Sequence, residues 1–235
     1  MTDTCLYLIP SPLGETDPSL VIPQETLQTL RRLKTFVVEN TRSARRYLSD
    51  AGLKGQIAGL EFHELNEHSG AADAEALLPL FEKGDVGLIS EAGLPAVADP
   101  GASLVSLCHR RGIRVIPLSG PSSLMLALMA SGLDGQSFAF RGYLPAKTDE
   151  RRSAIRRVEK DSASLRQTQI FIETPYRNDS LLKDLLDCLS PATLLCTAAD
   201  LTLPDSFVRT CSVAQWRKDP VTIGKRPCVF LILAR

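Results

Sequence analysis

Two glycine- and proline-rich loops are the part of this chain best suited to bind a ligand. One, Ser90–Gly101, follows the apolar run Val86–Ser90, and the other, Ser119–Ser123, follows Gly112–Leu118. Short apolar runs that end in Gly, Pro and Ser are typical of buried parallel strands followed by loops. In an open α/β sheet, ligands bind in the crevice beyond the carboxyl ends of the strands. Either loop alone is typical of an ordinary connection, but together they predict a site whose backbone N–H and C=O groups hold a polar small molecule.

Several other kinds of site are missing from the sequence. It has no G-x-x-x-x-G-K-[ST] phosphate loop, no G-x-G-x-x-G behind the first apolar run, no G-x-S-x-G elbow and no H-E-x-x-H. The first apolar run leads instead into Pro10–Gly14, a rigid turn that suits a ligand without a phosphate. The six cysteines form no C-x-x-C pair, and the three histidines do not join them at metal-ligand spacing. We therefore expect no metal, and buried reduced thiols in a cytoplasmic protein.

Alternating strands and helices are needed to position the two loops. Strands are predicted at Cys5–Ile9, Thr35–Glu39, Val86–Ser90, Gly112–Leu118, Phe138–Arg141, Gln169–Thr174, Ala192–Thr197 and Cys228–Leu233. Helices are predicted at Gln24–Lys34, Ala72–Lys83, Ala102–Arg111, Ser122–Ser131 and Asp179–Leu189, the second with a kink or early turn at Pro79. This alternation predicts an α/β protein with a parallel sheet in its first half.

The regular alternation stops near Leu118, where a domain boundary is predicted. Residues 1–118 are expected to form an α/β domain with a parallel sheet, and 119–235 an α/β domain with a mixed sheet, with a cleft between the two. The final stretch 220–235 is interpreted as a β-hairpin arm or edge strand. No run approaches the length of a membrane span, so no membrane association is expected.

Charge is balanced overall but not along the chain. Lys plus Arg and Asp plus Glu are 27 each. The first 118 residues hold 11 basic and 15 acidic side chains, and the rest hold 16 and 12. An anionic macromolecule would therefore dock on the second half, where the run Arg151–Arg157 places positive charge along one helical side. A solvated helix face explains that run as well.

Motifs spread along residues 5–177 resemble the tetrapyrrole-methylase (class III) family of S-adenosylmethionine-dependent methyltransferases. The matching segments are Ser90–Pro95, Asp99–Gly101, Pro117–Ser123 and Ala130–Leu133, together with Glu39–Arg42, His63–Glu67, Gly142–Lys147 and Glu173–Arg177. They are similar to the branch that methylates a ribose 2′-hydroxyl of small-subunit ribosomal RNA. The resemblance implies two α/β domains of the class III methyltransferase fold, a homodimer, and S-adenosylmethionine bound in the cleft between the domains.

The resemblance also implies which residues contact the cofactor. Carried over by position, they are Pro12, Gly93, Leu94, Pro95, Val97, Gly120, Pro121, Ser122, Ser123, Ile172, Ala199 and Pro227. A sulfonium ligand is cationic but largely apolar around its adenine, so backbone carbonyls and small apolar side chains suit it better than a charge cluster does. No metal ligand is implied.

The chain departs from the ribosomal branch at three places. Glu-Thr-Asp-Pro follows Gly14 where that branch has Asn-Leu and Asp-Ile-[Ser/Thr]. Asn40 replaces an aspartate, and Asp200–Asp205 lacks the lysine and final glutamate of Glu-Leu-Thr-Lys-x-x-Glu. The small C-terminal extension of that branch has no counterpart up to Arg235 and is not expected in this protein. These departures leave two alternatives, a methyltransferase of a small molecule such as a tetrapyrrole and a catalytically silent cofactor-binding protein.

Four residues are candidates for catalysis on a ribose hydroxyl, which is a poor nucleophile helped by a general base or a stabilising cation. Glu39 ends a predicted strand, and Arg42 follows it, where it is placed to anchor a phosphate. Glu67 lies in a polar loop, and Glu173 ends a later strand. Each also has a structural alternative: a helix cap for Glu39, a solvated face for Arg42, ordinary loop polarity for Glu67, and an ion pair with Arg177 for Glu173.

Overall fold

The computed structural model describes residues 4–66 and 68–234. The chain divides into two compact units, Met1–Ser122 and Ser123–Arg235. The predicted boundary after Leu118 lies a few residues before this division, in the loop that ends the first unit. Within the described residues, no helix is both long and apolar enough to cross a membrane.

The first unit is built on a five-stranded parallel sheet with the order β3-β2-β4-β1-β5. Its strands are β1 (Cys5–Ile9), β2 (Thr35–Val38), β3 (Glu61–Glu64), β4 (Val86–Ile89) and β5 (Arg114–Pro117). Its helices are α1 (Gln24–Arg32), α2 (Thr41–Leu48), α3 (Ala71–Ala76) and α4 (Ala102–Arg110). Short helical turns cover Pro18–Leu20, Ser49–Leu53, Ile57–Gly59 and Leu78–Glu82.

Helices cover both faces of this sheet, which explains why its central strands are apolar throughout. Every residue of β4 is buried. Ile9 and Phe36 pack against α1 and α2 on one face, while Leu6 and Leu88 pack against α3 and α4 on the other. Strands buried on both faces are typical of parallel sheets. The predicted helix Ala72–Lys83 is shorter than expected, because Pro79 divides it into α3 and the turn Leu78–Glu82.

The second unit is built on a mixed five-stranded sheet with the order β6-β7-β10-β8-β9. Its strands are β6 (Phe138–Tyr143), β7 (Thr168–Glu173), β8 (Leu194–Ala199), β9 (Phe207–Ser212) and β10 (Cys228–Leu233). Its helices are α5 (Ser123–Ser131), α6 (Thr148–Leu165), α7 (Asn178–Cys188) and α8 (Val213–Lys218), and Pro175–Arg177 forms a short turn. Only β6 and β7 pair in parallel; the other neighbours are antiparallel.

The last strand is the centre of the second sheet, so its interpretation as a hairpin arm or edge strand is wrong. β10 pairs with β7 on one side and β8 on the other. Its residues alternate between the two faces: Phe230 packs with the α6–α8 layer, and Val229 and Leu231 pack with α5. Five of its six residues are buried. A strand that is apolar on both faces belongs in the middle of a sheet, where both faces are covered.

Candidate functional site

Two loops join at the carboxyl end of the first sheet because β1 and β4 are neighbours there. The Ser11 N–H donates to the Gly93 carbonyl at 2.8 Å, and the Gly93 N–H donates back to the Ser11 carbonyl at 3.0 Å. The Ser11 hydroxyl, which is buried, donates to the Ser90 carbonyl at 2.8 Å. The turn after β1 and the loop after β4 are therefore held together as one backbone structure.

The loop Ser119–Ser123 reaches the same place from β5, on the other side of β1. Thr26 Oγ1 donates to the Ser119 carbonyl at 2.9 Å. A Cβ on Gly120 would lie 2.2 Å from the Cβ of Pro10, so only glycine fits there. The Pro121 carbonyl lies 3.8 Å from the position a Cβ on Gly93 would take. The two loops predicted to form a site thus meet around the turn after β1.

The loop after β4 has a strained backbone. Gly93 has a φ of 73°, in the left-handed region that favours glycine, but Ala96 and Ala98 adopt φ of 65° and 62° with ordinary side chains. Of the other predicted cofactor residues there, Leu94 is half-buried, Pro95 is buried and Val97 is exposed. Such strain persists only where surrounding contacts enforce it, and it is often found at ligand-binding sites.

A cavity of about 520 Å³ opens beside these loops, within the first unit. This volume is typical of small-molecule sites. Its lining residues are Ser11, Pro12, Leu13, Gly14, Glu15, Thr16, Pro18, Ser43, Arg46, Tyr47, Asp50, Glu91 and Ala92. Pro12 is the predicted cofactor residue among them. Gly93 adjoins the lining through Leu13, because a Cβ built on Gly93 would lie 3.3 Å from Leu13 Cδ2. Three carboxylates against one guanidinium make this lining compatible with a cationic sulfonium ligand.

Helix α2 forms the wall of the cavity opposite the loops. The side chain of Asn40 caps its first turn by accepting from the N–H groups of Arg42 and Ser43, at 2.9 and 3.2 Å. Ser43 and Tyr47 lie one turn apart and both face the cavity. The Tyr47 hydroxyl donates to the Pro10 carbonyl at 2.8 Å, and burial raises the pKa of Tyr47, so it remains a donor at neutral pH.

Glu39, a predicted catalytic residue, stands where β2 ends. Its Oε2 accepts from the Glu91 N–H at 3.3 Å, and the Ser43 hydroxyl donates to the Glu91 carboxylate at 2.5 Å. The structure therefore places Glu39 beside the loop after β4, half-buried. It does not cap α2, because Asn40 does, so the helix-cap alternative for Glu39 is excluded.

Of the other two catalytic candidates in the first unit, the structure describes Arg42 but not Glu67. The Arg42 side chain is exposed, and its guanidinium makes no ion pair within the described part of the chain. Glu67 lies outside the described residues, so the structure does not place it. Its neighbour Glu64 ends β3 and accepts from the Thr41 N–H at 3.0 Å, a bond that lowers the pKa of Glu64.

Four predicted site residues of the second unit gather at one end of its sheet: Ile172, Glu173, Ala199 and Pro227. Cys228 of β10 pairs with Glu173 of β7 on one side and with Ala199 of β8 on the other. Ile172 and Pro227 adjoin these pairs, and the Pro227 carbonyl accepts from the Asp200 N–H at 3.0 Å. The fold thus brings Ile172, Ala199 and Pro227 together, although they are far apart in sequence.

Glu173 is a buried member of an ion pair. Its side chain is fully buried, and its Oε1 accepts from Arg177 Nε at 2.9 Å. Its Oε2 is buried without a hydrogen-bond partner among the described residues. The local ion pair anticipated for these two residues is present, and the second carboxylate oxygen keeps its capacity to accept a hydrogen bond.

The basic run Arg151–Arg157 is not one charged surface, which corrects the expectation from the sequence. Arg151 is buried and donates from Nε and Nη2 to the Asp184 carboxylate, at 2.8 and 2.5 Å. Arg152 donates to Asp184 at 2.8 Å and to Asp187 at 3.0 Å. Only Arg156 and Arg157 remain exposed, so the helix offers half the positive charge that was predicted.

Several residues that line the cavity were not predicted from the sequence, among them Ser43, Tyr47, Asp50 and Glu91. The spacing of the first three carried a signal, because Ser43, Tyr47 and Asp50 recur at intervals that put them on one helix face. Glu91 lies within the matching segment Ser90–Pro95, which by itself assigned it no role. Asp99, in the same loop, is a further half-buried carboxylate.

We expect Asp99→Asn to stabilise the protein at neutral pH. Burial raises the pKa of Asp99, and the Glu91 carboxylate adds to this, while a hydrogen bond with Ser90 opposes it. Because the folded-state pKa is raised, the stability contributed by protonated Asp99 is present below its unfolded pKa and is lost as pH rises through the folded value. Melting temperatures should therefore be higher for the variant at pH 7 and equal to the parent at about pH 3.

The control for Asp99→Asn is Asp50→Asn, an exposed carboxylate of the same unit. Its melting temperature should follow the parent protein at both pH values. If Asp99→Asn is no more stable than Asp50→Asn at neutral pH, the desolvation of Asp99 is not a source of instability.

The fold of the chain defines the class of protein, since solved methyltransferases share it. Diphthine synthase superposes with a TM-score of 0.67 at 16% identity, covering 98% of this chain and 90% of that one. Uroporphyrin-III C-methyltransferase from Thermus thermophilus, solved with S-adenosylhomocysteine, superposes with a TM-score of 0.60 at 17% identity, covering 97% of both chains. At these identities the likeness defines the fold, which is that of the class III methyltransferases.

The sequence profile of the tetrapyrrole (corrin/porphyrin) methylases matches residues 6–216. The chain belongs to this family, and it is an S-adenosylmethionine-dependent methyltransferase. Among its relatives, ribosomal RNA small subunit methyltransferase I of Escherichia coli O157:H7 is 33% identical over 231 residues. That alignment covers 97% of this chain and 77% of the relative. The predicted family, fold class and cofactor are confirmed.

Proposed function

We propose that this enzyme methylates a ribose 2′-hydroxyl of small-subunit ribosomal RNA in the cytoplasm. The observation that carries the proposal is the exposed arginine face of α2, formed by Arg42, Arg45 and Arg46, beside the cavity of the first unit. Arginines bind phosphate through two parallel hydrogen bonds. The similarity to ribosomal RNA small subunit methyltransferase I, which extends over nearly the whole chain, supports an RNA substrate.

The proposed cofactor contacts of the first unit are of two kinds. They are the cavity that Pro12 lines and the loops around Gly93 and Pro121. When bound, S-adenosylmethionine supplies an electrophilic methyl group. The carboxylates of Glu15 and Asp50, which line the cavity, suit a cationic polar ligand. The contacts assigned to Ser122, Ser123, Ile172, Ala199 and Pro227 remain predictions.

Glu39 is the proposed general base, because it ends a strand at the carboxyl edge of the sheet and is only half-buried. The hydrogen bond from the Glu91 N–H holds its carboxylate beside the loop after β4, and the proposal is that this carboxylate accepts the ribose proton. Arg42 is proposed to anchor a phosphate of the RNA. Glu67 and Glu173 remain predicted catalytic residues; for Glu173, the buried Oε2 is the atom available to act.

A methylation assay with labelled S-adenosylmethionine tests the substrate. Small ribosomal subunits, stripped ribosomal RNA and porphyrinogens are the acceptors to compare. We expect label in RNA, and none after 2′-deoxy substitution of the modified nucleotide. Label transferred to porphyrinogens alone would assign the enzyme to a small molecule, and no transfer to any acceptor would support a silent cofactor-binding protein.

Arg42→Gln should weaken RNA binding and leave S-adenosylhomocysteine binding unchanged. One lost phosphate contact lowers the slope of log affinity against log salt by about one. Arg111→Gln is the matched control, since Arg111 is also exposed in the first unit but follows α4. Filter binding across a salt series checks the slope, and equal slopes for the two variants would exclude Arg42 from the RNA contact.

A homodimer is the proposed assembly, and the outer face of α5 is its proposed contact. The helix is apolar on all sides, yet Met129 is 76% exposed and Met125 44% exposed. A helix that is hydrophobic all round is normally buried.

Met125→Glu combined with Met129→Glu should convert the dimer to a monomer in light scattering. Leu165→Glu, at an apolar position on α6 that is 59% exposed, should not. A monomeric parent protein at micromolar concentration would contradict the assembly.

A further inference from the structure

A second cavity lies at the amino end of the first sheet, the end opposite the loops after β1, β4 and β5. Its volume is about 350 Å³, which is large enough for a mononucleotide-sized ligand. It is lined by Tyr7 of β1, by residues around the end of α1 and by residues that precede β4. No part of the proposed methyl-transfer site contributes to this lining.

The lining concentrates positive charge within an acidic unit. Arg32, Lys34 and Lys83 face the cavity against a single carboxylate, Asp85. The first unit as a whole carries 11 basic and 15 acidic side chains. The cavity is therefore lined mainly by positive charge, although the first unit as a whole has a net negative charge.

These cations are weakly neutralised. Among the described residues, Arg32 and Lys34 make no ion pair, and Arg32 Nη2 donates only to Thr29 Oγ1 at 3.3 Å. Lys83 Nζ lies 3.8 Å from the Glu61 carboxylate, at the limit of an ion pair, and both side chains are solvent-exposed. One oxygen of the Asp85 carboxylate already has a hydrogen-bond partner, because Oδ1 accepts from the Cys5 N–H at 2.8 Å. The cavity therefore retains net positive charge and free donors.

A neutral donor adds to the lining. The Tyr7 phenol and the Thr29 hydroxyl both line the cavity, but the Thr29 hydroxyl already donates to the Glu25 carbonyl at 3.0 Å. Burial raises the pKa of Tyr7, as do Asp85 and Cys5, against the opposing charges of Arg32 and Arg114. Tyr7 is therefore a protonated phenol at neutral pH, able to donate a hydrogen bond to an anion.

We propose that this cavity is a phosphate-binding site, with Arg32, Lys34 and Lys83 as its cationic ligands. A guanidinium matches the geometry of phosphate oxygens, and two lysines add point charges. The phosphate belongs either to a small phosphorylated molecule or to a polynucleotide backbone. The site goes beyond the proposed methyl transfer, because it uses the opposite end of the sheet and does not depend on the acceptor.

Calorimetry with uridine monophosphate and with uridine tests the site, since the two ligands differ only in the phosphate. The parent protein should bind the nucleotide and not the nucleoside. Lys34→Gln combined with Lys83→Gln should weaken nucleotide binding about tenfold or more. Lys54→Gln, an exposed lysine elsewhere in the first unit, is the matched control and should leave binding unchanged. S-adenosylhomocysteine binding should be the same in all of these proteins, which separates this site from the proposed function.

A short oligouridine distinguishes the two sources of phosphate. If the oligouridine binds more tightly than uridine monophosphate, and the slope of log affinity against log salt falls by about one per lost lysine, the ligand is a polynucleotide. Binding no tighter than the nucleotide supports a small phosphorylated molecule. Equal binding of uridine and its monophosphate, full binding by the double lysine variant, or no binding of either phosphate ligand at millimolar concentration would overturn the proposal.

Discussion

Replacing Arg151 with methionine should lower the free energy of unfolding by about 3 kcal/mol, as expected when one partner of a buried ion pair is removed. Arg151 and Asp184 are each 5% exposed, and Arg151 also donates to the Ala146 carbonyl at 2.9 Å. The variant leaves Asp184 buried with only Arg152 as its cationic partner. Urea denaturation followed by circular dichroism measures the loss.

Arg157→Gln is the matched control for this prediction, because Arg157 lies on the same helix but is exposed. Surface positions of this kind usually change stability by less than about 0.5 kcal/mol. Combining Arg151→Met with Asp184→Leu should restore much of the lost stability, since a well-packed apolar pair can replace a buried ion pair. If Arg151→Met unfolds at the same urea concentration as Arg157→Gln, the Asp184 contact does not stabilise the fold.

Gly93→Val should weaken S-adenosylmethionine binding by about a hundredfold or more while the protein remains folded. Gly93 has a φ of 73°, and a Cβ there would lie 3.3 Å from Leu13, which lines the cavity. A branched side chain would therefore push against the cavity wall and disturb the backbone pair with Ser11. Calorimetry with S-adenosylhomocysteine measures the loss, and circular dichroism verifies the fold.

Gly112→Val separates this effect from backbone strain. Gly112 has nearly the same conformation, with a φ of 68°, but no atom lies within 4 Å of its virtual Cβ. Both variants should lose about 1–3 kcal/mol of stability through the left-handed conformation. Only Gly93→Val should lose the ligand. If the two variants bind equally, the loop after β4 is not part of the cofactor site.

Local patterns were sufficient to predict much of the fold of this chain. The runs Cys5–Ile9, Val86–Ser90 and Cys228–Leu233 are strands to within a residue, because a short apolar run bounded by turn residues depends only on neighbouring positions. The loops Ser90–Gly101 and Ser119–Ser123 could also be predicted to meet. Parallel strands place their carboxyl ends on one edge of a sheet wherever each strand lies in the order.

Two strands, β3 and β9, were not predicted from the sequence, and both lie at the edge of a sheet. β3 lies at the edge of the first sheet and reads Glu61–Glu64, while β9, at the edge of the second, has no buried residue in Phe207–Ser212. Edge strands bury little apolar surface, so their sequences resemble loops. β10, by contrast, was recognised as a strand, but its central position depends on pairing with β7 and β8, which are distant in sequence.

The partners of charged and polar side chains were decided only by the tertiary structure. Arg151 and Arg157 look alike within one basic run, yet the packing of α6 on α7 buries the first against Asp184 and leaves the second in solvent. The wall that Ser43 and Tyr47 contribute to the cavity likewise requires α2 to lie beside the turn after β1. A residue's own neighbours in sequence determine its secondary structure and periodicity, whereas its charge partner is set by the docking of elements far apart along the chain, which no local pattern specifies.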